Sequence, residues 1–403
     1  NDSNDQYFSL QNKTIFHKYH CVEKIGQGSF GCIYKATYNK KMYALKFESI
    51  KYGHNLLENE AMILNRLKGP NIPYIKTFGI IDDFNVIVMQ LLGHSLDYYL
   101  KKLKKFSIKT VCLLGIQMIS IIQHIHDNDI IHRDIKPDNF AMGLDNLNAY
   151  LYILDFGLSK KYRDSRNSEH YPIVKKKRMT GTARYCSING MKGYEHSRRD
   201  DLESIGYLLI YFLKGSLPWQ GLPGSTKDKR YAKILEKKMS TSPKDLCENL
   251  PNEFAQYIDY TRKMGFTEDP NYDWLKKLLT NVLDNIQLEL DFIYDWTTEE
   301  EKSYRSKSIT NESAENKSDE KRETFYEDFT DDNQAYFEFE HRNNNIEIRN
   351  QNNQSNKCLK TGKEEDYQNK IERVRVFRER RKRNQELDEY YAKEVCCSGA
   401  CLI

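Results

Sequence analysis

The chain has 403 residues, of which 39% are hydrophobic and 30% charged, with a formal net charge of +4. That length accommodates two or three domains, and so small a net charge gives no argument for nucleic acid as a partner. Residues 297–403 hold 20 Lys/Arg against 24 Asp/Glu, which leaves 42 against 34 in residues 1–296, so a basic body of net +8 carries an acidic tail of net −4, a balance suited to binding polyanions or acidic peptides.

Residues 1–18 are polar and read as a flexible N-terminal segment. From residue 19 to 92 the texture is strand-like: Cys32-Ile33-Tyr34-Lys35-Ala36 and Met42-Tyr43-Ala44-Leu45-Lys46-Phe47 are separated by Asn-Lys turn residues. One helix interrupts at Leu56–Leu67, with Leu57, Ala61, Leu64 and Leu67 on one face. From residue 93 to 296 the period becomes helical, at Ser95–Lys104, Ile108–Asn128, Asp200–Leu213 and Pro251–Lys263. The longest apolar stretch, Val111–Ile122, is too short to span a bilayer and reads as a buried core helix. Past Trp296 the chain is rich in Asn, Glu, Lys and Arg and free of proline, so 297–403 is expected to be largely disordered, with one charged helix at 371–395. The fold class is therefore α+β and bilobal, a small β-rich N-lobe on a larger helical C-lobe. Nine cysteines lie without paired metal spacing and no secretory segment opens the chain, which points to reduced thiols in the cytoplasm, with the nucleus as the alternative.

Gly26-Gln27-Gly28-Ser29-Phe30-Gly31 follows one strand and precedes another. A dinucleotide-binding unit would open a helix here, whereas Cys32-Ile33-Tyr34-Lys35 reads as strand, which favours a two-stranded flap over a triphosphate. A plain Gly-rich hairpin would have even odds if nothing followed. Lys46, in Tyr43-Ala44-Leu45-Lys46, sits on a strand where it reaches phosphates, and Glu60 on the next helix is preferred to Glu58 as its partner. The run His132-Arg133-Asp134-Ile135-Lys136-Pro137-Asp138-Asn139 then offers Asp134 to orient and accept the proton of an attacking hydroxyl, Lys136 to neutralise charge on the moving phosphoryl group, and Asn139 as an oxygen donor to a metal. Asp155, in Asp155-Phe156-Gly157, supplies the second metal ligand. Phosphoryl transfer needs positioning and charge neutralisation rather than covalent chemistry, so this set with ATP and Mg²⁺ suffices. Lys136 fits a Ser/Thr acceptor, Thr182 is placed to hydrogen-bond Asp134 and Lys136, and Asp201 to hold the catalytic loop's backbone.

Other stretches carry a finer resemblance. Tyr185-Cys186-Ser187-Ile188-Asn189, Ser197-Arg198-Arg199-Asp200-Asp201-Leu202-Glu203-Ser204, Gly215-Ser216-Leu217-Pro218-Trp219-Gln220-Gly221 and Asp155 through Asp164 resemble the casein kinase 1 family of Ser/Thr protein kinases, from about Tyr19 to Trp296. The resemblance implies the protein kinase fold and places nucleotide contacts on Ile25, Gly26, Gln27, Gly28, Ser29, Phe30, Gly31, Ile33, Ala44, Lys46, Met89, Leu91, Leu92, Ala141 and Leu154. It also implies a preference for acidic or already phosphorylated protein substrates, read by Arg184, Gly221 and Arg230, and a monomer. Lys175-Lys176-Lys177-Arg178 would add to that basic face, though a solvated charged loop explains the run equally well.

Three positions depart from the family. Gln90 stands where the hinge usually has an acid, His94 replaces a proline, and Ala141 replaces the larger residue that floors the adenine pocket, which predicts a roomier floor. At the end of the chain Ala400 stands fourth from last, so no prenylation box is present. Cys396, Cys397 and Cys401 near the basic run Arg378–Arg383 suit S-palmitoylation and peripheral membrane attachment; a reduced tail without lipid is the equal alternative. A pseudokinase scaffold is disfavoured because Lys46, Asp134, Lys136, Asn139 and Asp155 are all present, and a small-molecule kinase because the Thr182–Asn189 segment would have no use.

Overall fold

Alternating apolar residues from Thr14 to Gln90 assemble a six-stranded antiparallel sheet of order β1-β2-β3-β4-β6-β5 in the computed structural model of the chain. The strands are β1 (Thr14–Ile15), β2 (Tyr19–Gln27), β3 (Gly31–Tyr38), β4 (Lys41–Ser49), β5 (Ile75–Ile81) and β6 (Phe84–Gln90). The structure describes residues 10–28, 31–52 and 56–302. Ser29, Phe30, the anticipated helix at 371–395 and the tail cysteines Cys358, Cys396, Cys397 and Cys401 lie outside the described residues. One face of the sheet buries Cys21, Tyr34, Leu45, Phe47, Val86 and Val88 in a core of its own. The other packs on helix α1 (Leu56–Arg66), whose buried stripe Leu57, Ala61 and Leu64 matches the sequence reading. The buried Glu48 carboxylate accepts from Leu57 N at 3.1 Å and so satisfies an orphan donor in the first turn of α1.

The C-lobe is built on helices α2 (Leu96–Leu103), α3 (Ile108–Asp127), α4 (Ile188–Met191), α5 (Arg198–Lys214), α6 (Lys227–Ser240), α7 (Pro243–Leu246), α8 (Asn252–Lys263) and α9 (Tyr272–Asn285). Short antiparallel pairs join β7 (Ile130–Ile131) to β10 (Lys160–Lys161) and β8 (Phe140–Met142) to β9 (Leu151–Ile153). Helix α3 is longer than the apolar run that marked it, and at 20 residues with mean hydropathy 1.5 it meets the length and apolarity of a membrane span. Its residues are instead buried against α5 and α9, where Gly115 lets the helices close up: a Cβ there would lie 2.5 Å from Leu279 Cδ1. Helix α6 has no such stripe, since it buries only Ile234 and Lys238.

Packing continues to residues 294–296. Asp295 accepts from Ser107 N (2.7 Å) and Thr110 Oγ1 (2.9 Å) at the start of α3, and Trp296 stacks on Tyr99 at 4.2 Å. Cys21, Cys32, Cys112, Cys186 and Cys247 are free and buried, and burial pushes the Cys112 and Cys186 thiols up to about 12.

Candidate active site

The β2–β3 hairpin closes where Gly28 N donates to Gly31 O at 2.9 Å. A Cβ on Gly31 would sit 1.7 Å from the Phe47 carbonyl oxygen, so only glycine lets β3 start this close to β4. Strand register carries the rest: Gly26 lies opposite Ile33, Ile33 opposite Lys46, and Lys46 opposite Ile87. Lys46 therefore lies in line with the glycine loop, one strand removed. Its ammonium donates to Glu60 at 2.6 Å and to Asp155 at 3.2 Å, so Glu60 rather than Glu58 meets it. Burial disfavours that charge, but the two carboxylates outweigh burial and hold the ammonium above the ordinary lysine range. Burial would likewise raise Asp155; Lys46 reverses this and keeps the carboxyl below its usual value.

The apolar positions assigned to the adenine pocket come from both lobes. Ala44 and Met89 pair across β4 and β6, buried, while Ile33, Leu91 and Leu154 pack half-buried on the same core. Ala141 is buried on β8 opposite Tyr152, Leu92 is half-buried, and Ile25 is exposed on β2. The hinge joins β8 through Gly93 N to Met142 O (2.8 Å) and Met142 N to His94 O (3.1 Å). His94 stacks on Tyr98, with ring centroids 3.7 Å apart.

The catalytic loop hangs on Asp201, buried at the start of α5. Its carboxylate accepts from His132 N (2.7 Å), Arg133 N (2.8 Å) and His126 Nε2 (3.0 Å). Burial pulls the His126 pKa down, and a carboxylate can only accept, so neutral His126 donates through Nε2 while its Nδ1 accepts from Tyr272 OH at 2.7 Å. Burial opposes the Asp201 charge, but the hydrogen bond from His126, the neighbouring His132 and the Arg133 N–H keep its pKa low. These bonds stabilise Arg133 in a left-handed conformation (φ 71°), which a non-glycine residue adopts at a cost of roughly 1–3 kcal/mol. Sequence reasoning found Asp201 but missed His126 and Tyr272, which stand respectively 75 residues before Asp201 and 146 residues after His126.

Around Asp134 the assigned residues converge. Lys136 Nζ donates to its Oδ2 at 2.5 Å, Thr182 Oγ1 to its Oδ1 at 2.9 Å, and Asn139 Nδ2 to its backbone oxygen at 2.9 Å. Thr182 makes no hydrogen bond to Lys136 among the described residues, since Asp134 stands between them. With Asn139's nitrogen so engaged, its amide oxygen is left as an acceptor, and Asp155 keeps Oδ2 beyond the Oδ1 that takes Lys46. Two oxygen donors from adjoining segments, tied where Leu154 N donates to Asn139 O at 2.7 Å, suit a hard divalent cation carrying phosphates. Asn59 on α1 was not foreseen: its amide donates to the Phe156, Gly157 and Ser159 carbonyls at 3.1–3.3 Å and ties the helix of Glu60 to the segment of Asp155.

Beyond the loop, Glu195 bridges Lys160 (2.7 Å) and Lys177 (2.9 Å). Burial opposes its charge, yet the two lysines bring its pKa down to about 2. Lys177 is thus a paired residue rather than part of a freely solvated run. Ser187 donates to Asp200, and Ile188 N donates to the buried Glu203 at 2.9 Å, which fixes the end of the segment on α5. Arg184 is exposed, its backbone oxygen accepting from Trp219 Nε1 at 2.8 Å. Gly221 lies two residues past Trp219, and Arg230 is exposed on the first turn of α6.

Residues 19–286 match the protein kinase domain. The match covers well over half of the chain, and with it come ATP, a divalent metal and protein substrates as general attributes. The chain belongs to the protein kinase domain family and is an ATP-dependent protein kinase.

Proposed function

We propose that this protein is a Mg²⁺-dependent Ser/Thr kinase of casein kinase 1 type that acts on acidic or phospho-primed proteins. Arg184 carries the substrate reading. Its guanidinium donates to the hydroxyls of Tyr185 and Tyr211 (3.3 Å each) and lies 5.3 Å from the Tyr211 ring centroid. No carboxylate pairs with it among the described residues, and it stands two residues after Thr182, which touches Asp134. An exposed cation held in place by neutral partners beside the catalytic carboxylate is a preorganised receptor for a substrate anion. Arg230 and the loop at Gly221 extend that receptor.

In this reading Asp134 orients the acceptor hydroxyl and takes its proton, while Lys136 neutralises charge as the phosphoryl group moves. Lys46, clamped by Glu60, would steady the nucleotide's phosphates, and Asn139 with Asp155 would hold Mg²⁺. The bound cation offsets the negative charge of the triphosphate. Thr182 fixes the Asp134 carboxylate. Tail cysteines Cys396, Cys397 and Cys401 are proposed acylation sites on an otherwise cytoplasmic monomer.

The test is a peptide set assayed with ATP/Mg²⁺: one phospho-primed, one acidic, one neutral, each with Ser, Thr or Tyr as acceptor. The primed Ser/Thr peptide should show the highest kcat/KM, and Arg184→Ala should remove most of that preference through KM. Equal turnover of the neutral peptide would sink the substrate assignment; preferred tyrosine phosphorylation would sink the acceptor assignment.

A further inference from the structure

Where α2 and α5 end side by side, a cavity of about 560 Å³ opens on the surface. Its charged lining is Lys101, Lys104, Lys105, Arg184 and Lys214, with Asp97 the one acid among them. Asp97 is already taken by Lys101 at 2.6 Å. Removing that pair leaves four cations, and none of them has a carboxylate partner among the described residues.

Part of this charge has a local explanation. The last turn of each helix borders the cavity, where Lys104 N caps Leu100 O at 2.7 Å and Gly215 N caps Tyr211 O at 2.8 Å. Each helix C-terminus carries about half a negative charge, so two ends balance roughly one of the four cations. About three are left over. They are gathered into a concave site, where like charges repel unless an anion joins them.

The cavity also adjoins the chemistry. Arg184 is one of its walls, and Thr182, two residues earlier, donates to Asp134 at 2.9 Å. Two extended residues span at most about 7 Å, so a peptide with its hydroxyl at Asp134 passes the cavity mouth within a few positions. Arg184 is therefore shared. The substrate reading above joins it to Gly221 and Arg230, neither of which lines the cavity. The cavity joins it to Lys104, Lys105 and Lys214, none of which that reading employs.

We propose that the cavity between the ends of α2 and α5 is a second anion subsite for the peptide substrate. It takes a carboxylate or phosphorylated side chain at a position other than the one read through Gly221 and Arg230. The inference rests on the acid-directed substrate assignment and deepens it: the enzyme selects peptides with two separated negative determinants rather than one.

The experiment uses the full chain and a peptide carrying one phosphoserine, into which a second Asp or phosphoserine is walked along both sides of the acceptor. For wild type, one or two positions of the second acid should lower KM by about tenfold, the value of a single charge-assisted contact. Lys105→Glu/Lys214→Glu should abolish that gain, leave kcat unchanged, and leave KM for the singly primed peptide within about twofold. An unchanged KM gain in the double variant overturns the proposal. So does a wild-type enzyme indifferent to the second acid at every position. If the Glu pair loses its melting transition, Lys105→Gln/Lys214→Gln serves in its place, with half or more of the gain expected to vanish and full retention counting against the subsite. Binding to phosphatidylserine vesicles that the double variant loses, with peptide KM unaltered, would reassign the face to a membrane. Failure of the underlying substrate assignment is separately visible, because primed and neutral peptides would then be used equally by wild type and by Arg184→Ala.

Discussion

The two charged regions of this kinase are built on opposite rules. Around Asp134 the catalytic ions are paired: Lys46 has Glu60 and Asp155, Lys136 has Asp134, and Asp201 has His126 and two backbone donors. Around Arg184 the cations greatly outnumber the acids, and the arginine is held by tyrosines. Buried charges left unpaired cost several kcal/mol, so the cleft must balance itself before substrate arrives. Exposed cations carry little such penalty and can wait for an anion from outside. Paired charge gives this enzyme its geometry, and unpaired charge is the basis of the preference proposed for it.

The sharpest way to break the comparison is within the balanced region. Asp134→Asn should lower kcat by roughly 10²–10⁴ with nucleotide affinity retained, measured by single-turnover kinetics and nucleotide titration; a loss smaller than tenfold would mean that the carboxylate only positions its neighbours. Glu195, between the two regions, gives an intermediate effect. Its folded pKa of about 2 lies below the ordinary 4.5, so the stability it supplies is complete above pH 4.5 and fades as pH falls toward 2. Glu195→Gln should cost roughly 1 kcal/mol at neutral pH and flatten the fall of Tm across that acid window; parallel Tm profiles for the two proteins would refute the assignment. The smallest effect belongs to the unbalanced region. Lys105→Ala should change stability by less than about 0.5 kcal/mol in a denaturant melt, and a larger loss would reveal a structural partner for that cation.

Local signals in the sequence mark much of this. The stripes of α1, α3, α5 and α8 and the residues at the centre of the cleft are legible because each is encoded within a short window. Helix α6 is not, because a helix that buries only Ile234 and Lys238 has no period to read. The sequence reading marks no helix at α9, and nothing in its stripe Leu275, Leu278, Leu279 and Val282 announces that Tyr272 reaches His126 across the lobe. Nor does the lysine run of the activation segment disclose that Lys177 is spoken for by Glu195, 18 residues on. What escapes is pairing at long range, where partners are chosen by the fold.

Helix α3 carries a consequence for how the protein is made. Its cover comes from α5 and α9, and α9 begins at Tyr272, 145 residues after α3 ends at Asp127. At about 5–20 residues per second, translation leaves a helix apolar enough for a bilayer without its final neighbour for roughly 7–30 s. Nascent chains of this kinase should therefore depend on a holding chaperone from the moment α3 leaves the ribosome, and ribosome-bound chains ending between α3 and α9 should be the ones captured.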